Sequence, residues 1–92
     1  MMKIDIEKLK QKKLEELKNY VSELLAPTDY IIVKISEAQA FGDTNAVEQL
    51  KQKYTTQLQQ RQAIREWNEH MKQAIKNAKT IEELRSLEIR YG

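Results

Sequence analysis

Tyr30-Ile31-Ile32-Val33-Lys34-Ile35 is the stretch on which the fold turns. Its β-branched residues taken alone favour a strand, but a strand needs a partner ladder. The other short stretches that offer one, Lys3 to Ile6 and Leu87 to Tyr91, both suit a helical pattern better. The segment therefore reads as a helix over 29–41. Ile31, Ile35 and Ala38 share one face of it, and Gly42 can take the left-handed cap that ends it.

On its N-terminal side, Ile6, Leu9, Leu14, Leu17, Val21 and Leu24 recur at steps of mostly three or four, which predicts a first helix over 5–25. Pro27 cannot continue that helix. It lacks an amide donor and disfavours the α region at Ala26, so the helix should end near Leu25 or Ala26, with Thr28 or Asp29 capping the next one.

On its C-terminal side, Asp43, Thr44 and Asn45 form a capping cluster with Glu48 three residues beyond Asn45, so a third helix opens at 44. No breaker follows until about Lys79, which predicts a helix over 44–78. Its heptad seam is Val47, Leu50, Tyr54, Gln57, Arg61, Ile64, Asn68, Met71, Ile75 and Ala78, and Gln57 to Gln62 is its least core-like part. At ~1.5 Å per residue, roughly 35 residues make a rod on the order of 50 Å, so the rod either breaks or projects to meet another chain. Thr80-Ile81-Glu82-Glu83 is a capping box, and a fourth helix over 81–91 follows, with Ile81, Leu84, Leu87 and Tyr91 facing inward.

The fold class is therefore all-α: a small helical bundle or helical hairpin within one domain spanning 1–92, with coiled-coil-like packing that oligomerisation can complete. The composition agrees. One third of the 92 residues are charged, only two are glycine and one is proline, and mean hydropathy is well below zero. The absence of cysteine removes disulfides, thiolate zinc sites and cysteine nucleophiles. The start Met1-Met2-Lys3-Ile4-Asp5-Ile6 turns charged too early for a signal peptide, and no window approaches the ~18 apolar residues of a membrane span. A cytoplasmic or virion location and no membrane association are the expectation. A net charge of +2, from 16 basic and 14 acidic residues, gives no field strong enough to imply nucleic acid.

Groups able to carry chemistry have plainer uses. His70, with Glu66 and Glu69 near it, reads as a surface salt-bridged histidine, because zinc needs further ligands that the chain lacks. Glu15, Glu16, Glu82, Glu83, Asp29 and Glu37 fall on solvated faces, in first turns or at caps, and Ser22, Ser36 and Ser86 have no histidine within plausible reach. No catalytic residue, metal ligand or cofactor is expected. A helix-turn-helix about Gly42 fails, because the positions that must pack back, Glu48 and Lys51, are charged. Lys8, Lys10, Lys12, Lys13 and Lys18 are interleaved with Glu7, Glu15 and Glu16, which reads as a solvated face; phosphate binding by these lysines is the alternative.

Trp67 is either a core residue with its indole N–H at the rim or an anchor for a partner, with Arg61 and Arg65 close by. Tyr54, Arg61, Ile64, Arg65, Trp67, Met71 and Ile75 are accordingly the candidate interface residues.

The run Leu24-Leu25-Ala26-Pro27-Thr28-Asp29-Tyr30, followed by Ile32, Lys34, Glu37 and Ala38 and then Tyr54, Arg61, Arg65 and Asn68, resembles a helical segment of small bacteriophage and prophage tail-module proteins. It is also similar to the Thr-Asp-Trp and arginine-containing stretch of tail fibre assembly proteins, with Tyr30 in place of the tryptophan. The likeness covers roughly residues 14 to 70. It implies a structural or chaperone-like role in tail assembly, with protein partners or further copies of the chain, and no catalytic residues to carry over. A small nucleic-acid accessory factor is the competing expectation.

Overall fold

Ile31 and Ile35 stand one helical turn apart and are both buried, while Val33 between them is exposed, which is the burial of a helix and not of a strand. In the computed structural model, which describes residues 5–92, the chain is all-α. Helix α1 spans Ile6–Leu25, and a single 3₁₀ turn, Ala26–Thr28, leads into α2 at Asp29–Ala40. Helices α3 (Thr44–Lys53), α4 (Thr55–Asn77) and α5 (Ile81–Ser86) follow. Of the alternative strand segments, Lys3 and Ile4 lie outside the described residues, and Leu87 to Tyr91 forms no sheet.

The path is a long helical hairpin with its apex at Gly42. One arm is α1 with α2, the other α3 with α4. Lys10 against Lys76, Tyr20 against Trp67, Leu25 against Arg61 and Tyr30 against Tyr54 mark its antiparallel register. The molecule measures 63 × 23 × 19 Å with a radius of gyration of 18.0 Å, against roughly 13 Å for a compact domain of about this length. Gly42 takes φ +69°. The Gly42 amide donates to Gln39 O and the Asp43 amide to Ala38 O, both at 3.0 Å, which is a Schellman close of α2. Asp43 then accepts from the Ala46 amide at 3.0 Å and starts α3.

Two apolar clusters run along the hairpin. Leu17, Val21, Ile64, Ile75, Ala78 and Leu84 form the larger, between α1, α4 and α5; Ile31, Ile35, Val47 and Tyr54 form the smaller, between α2 and α3. Every position of the heptad seam from Val47 to Ala78 is buried or half-buried.

Four expectations need correction. The helix expected over 44–78 is broken at Tyr54 (φ −108°, ψ 25°), and the polar stretch Gln57 to Gln62 is continuous helix. The Thr55 hydroxyl reaches Lys51 O at 2.9 Å and Gln52 O at 3.0 Å, competing with the backbone amides for those carbonyls and bending the rod there.

Ala26 stays in the αR region (φ −52°, ψ −44°) ahead of Pro27, so the proline tightens the chain into a 3₁₀ turn without breaking its direction. The preference against α before proline is a steric bias and not a prohibition, and here the chain stays in the αR region through Leu25, Ala26 and Asp29. The third correction is at α2, which has no side-chain cap: Thr28 Oγ1 donates back to Leu25 O at 3.1 Å, and Asp29 is engaged by Arg61.

The last helix stops at Ser86 instead of reaching 91. Ser86 Oγ donates to Glu83 O at 2.6 Å, taking up a carbonyl of the final turn. Beyond it the chain is extended, and Leu87, Ile89 and Tyr91 alternate onto the larger cluster. The capping box itself forms: Thr80 Oγ1 accepts from the Glu83 amide at 3.1 Å, and Glu83 reaches back to the Lys79 amide at 2.9 Å.

Candidate interaction surface

The seven candidate interface residues divide by burial. Tyr54, Arg61, Ile64 and Ile75 are buried within the chain, Trp67 and Met71 are half-buried against the larger cluster, and Arg65 is exposed. Most of this set is thus engaged in the hairpin's own packing.

Arg61 is the buried charged side chain among the described residues, at 6% exposure. Its Nη1 donates at 3.0 Å to Leu25 O, 2.8 Å to Thr28 Oγ1 and 3.0 Å to Asp29 Oδ1. It therefore ties α4 to the 3₁₀ turn where α1 passes into α2, a few residues from the Tyr54 break in the second arm. Its Nε is buried without a partner.

Trp67 sits between two tyrosines. Its ring meets Tyr20 edge-on at 5.7 Å and Tyr91 at 5.4 Å, and the Tyr91 amide donates to the Tyr20 hydroxyl at 3.0 Å, closing a triangle that fastens the C-terminal segment to both arms.

His70 is exposed and makes no ion pair among the described residues, which corrects the salt-bridge expectation: Glu69 pairs with Lys72 at 3.3 Å, and Glu66 accepts from Gln62. No group of three or more His, Cys, Asp or Glu side chains is placed to hold a metal ion among the described residues. Of the α1 lysines, Lys10 is directed inward and donates to Lys76 O at 2.8 Å, satisfying a carbonyl at the end of α4. Lys18, Lys72 and Lys76 border an open groove of about 630 Å³ between α1 and α4, floored by Leu14, Leu17 and Val21. No helix among the described residues is long and apolar enough to cross a membrane.

The outer face of α2 is where apolar surface meets solvent. Tyr30 is 48%, Val33 55% and Phe41 88% exposed, and at 100° per residue they fall with Lys34 and Glu37 on one stripe, to the side of the buried Ile31–Ile35–Ala38 face. This stripe was missed in the sequence because reading Ile31, Ile35 and Ala38 as the inward face left Tyr30, Val33 and Phe41 without a role. The signal was present: α2 is apolar on two faces, and a two-stranded hairpin buries one.

Lys34 Nζ lies 5.5 Å from the Tyr30 ring centre and 5.9 Å from that of Tyr54, and Lys53 Nζ lies 5.3 Å from Tyr54. Burial alone pushes the Tyr54 phenol up, but the two ammonium groups beside it outweigh burial and hold it below the ordinary value. Comparison of the chain with family models, curated proteins and solved structures finds no match in any of the three.

Proposed function

We propose that the chain is a non-enzymatic structural or assembly protein that acts by packing helical surface against other protein chains, copies of itself included. The observation that carries this reading is the stripe on α2, where Phe41 is 88% exposed at the hairpin apex and Tyr30 and Val33 continue the apolar surface along the helix. An aligned set of large apolar side chains in water favours contact with a partner. The slender 63 Å shape adds support, since it presents this surface at one end of the rod, away from the larger cluster.

The narrower form of the proposal is a role in a bacteriophage or prophage tail module, in the bacterial cytoplasm or in the virion. It rests on the resemblance of Leu24 to Tyr30 and of Arg61. Leu25, Thr28, Asp29 and Arg61 also form one hydrogen-bonded unit, which gives that pattern a structural role.

Sedimentation velocity from low to high micromolar concentration tests the general reading, with mass rising above the 10.9 kDa of one chain as the expected result. A strict monomer throughout overturns self-association. Co-expression with proteins of a bacteriophage tail module tests the narrower form. Co-elution supports that form, and independent elution from all of them overturns it.

A further inference from the structure

The stripe on α2 is self-complementary in charge as well as apolar. Tyr30, Val33, Lys34, Glu37 and Phe41 lie within about one third of the helix circumference. Lys34 and Glu37 are nearly equidistant from the middle of the stripe, and Tyr30 and Phe41 stand at its two ends. An antiparallel crossing of two such stripes, centred between Ile35 and Ser36, therefore sets Tyr30 of one copy against Phe41 of the other and Lys34 against Glu37, each pair occurring twice by symmetry. A parallel crossing instead opposes lysine to lysine and glutamate to glutamate.

Resting on the self-association reading above, we propose that the occupant of this face is a second copy of the chain, docked antiparallel through α2. Tyr30 and Lys34 border the second arm at Tyr54, while Val33, Glu37 and Phe41 face solvent to the side of the α2–α3 contact, so a second helix meets the stripe without displacing α3. The contact is one helix of 12 residues on each side, far below the size of an obligate interface and at the lower end for a specific one, roughly 1,000 Å² in total. The dimer is therefore weak and reversible, and its two Lys34–Glu37 pairs make it sensitive to salt.

The test is sedimentation of the full chain at high micromolar concentration, with circular dichroism to confirm the fold. Wild type dimerises, less so at high salt. Phe41→Ser, at a position almost fully in solvent, keeps its helicity and loses the dimer. Lys34→Glu and Glu37→Lys, each alone, weaken it by about tenfold through like-charge opposition; mixed in equal amounts they associate again, because the heterodimer restores opposite charges at both pairs. A wild type that associates more strongly in high salt, or a mixture that stays as monomeric as its components, overturns the antiparallel arrangement. Association that all three variants leave intact overturns this face while leaving self-association standing. A monomeric wild type overturns both.

Discussion

Arg61 Nη1 lies 3.0 Å from the carbonyl oxygen of Leu25, 36 residues earlier in the chain. That carbonyl is one of the last of α1, which the helix itself leaves without an amide, and the guanidinium bonds it from the other arm together with Thr28 and Asp29. The junction between α1 and α2 is thereby tied to α4.

Arg61→Leu removes the donor while keeping apolar volume, so Leu25 O and Thr28 Oγ1 lose the guanidinium and keep only the hydrogen bond between them. Asp29 is well exposed, at 60%, and returns to water, so the loss falls short of that for a fully buried pair. About 2 kcal/mol of stability is the expected cost, with Asp29→Asn costing less than half as much. Urea denaturation followed by circular dichroism checks both. An Arg61→Leu chain as stable as wild type would show that the clamp contributes nothing.

Trp67→Ala opens a hole between Tyr20 and Tyr91 and should cost roughly 3 kcal/mol, as for a large aromatic in a packed cluster. Tyr20→Phe keeps the ring and deletes only the acceptor for the Tyr91 amide. Its expected effect is about 1 kcal/mol, with faster hydrogen exchange at Tyr91. Unchanged exchange there would mean that the ring contacts alone hold the segment.

Gly42 is the residue of the apex that adopts φ +69°, and there is open space where a Cβ would go. Gly42→Ala therefore meets conformational strain and no clash. The expected loss is about 1 kcal/mol, with Gly42→Asn milder because asparagine tolerates the left-handed region. Thermal melts of the two variants decide the order.

Tyr54 supplies a pH dependence. Its phenol is held below the ordinary value of about 10 because Lys34 and Lys53 outweigh the opposing effect of burial. Between the folded and unfolded pKa values the unfolded chain binds more protons, so stability gained from this group rises with pH across that window and is fully present above the unfolded value. It vanishes as the pH falls through the folded value. Relative to Tyr54→Phe, wild type should gain stability with alkaline titration. In tyrosinate absorbance, Lys34→Met and Lys53→Met should each shift the Tyr54 step upward.

Much of the architecture was legible from spacing. The first helix over 5–25, the second over 29–41, the glycine apex and the inward seam of the return arm all follow from where apolar, capping and left-handed residues fall, which are local properties. Chain breaks controlled by one side chain were not legible. Thr55 taking two carbonyls and Ser86 taking another depend on which rotamer wins against the backbone, and threonine or serine in a helix is compatible with either. The interface candidates suffered the same limit: Arg61, Ile64 and Ile75 read equally as partner-facing or self-facing until the other arm is in place.

Spacing and capping residues determined that this chain is helical and which side chains share a face of each helix, because the 3.6-residue repeat and the caps act within a few residues. Only the tertiary structure decided that Arg61 closes on Leu25, Thr28 and Asp29, that the last residues run extended beneath Tyr20 and Trp67, and that Tyr30, Val33 and Phe41 are left in water. Those outcomes depend on pairing segments tens of residues apart. A helix apolar on two faces carries no mark of which face its own chain will cover.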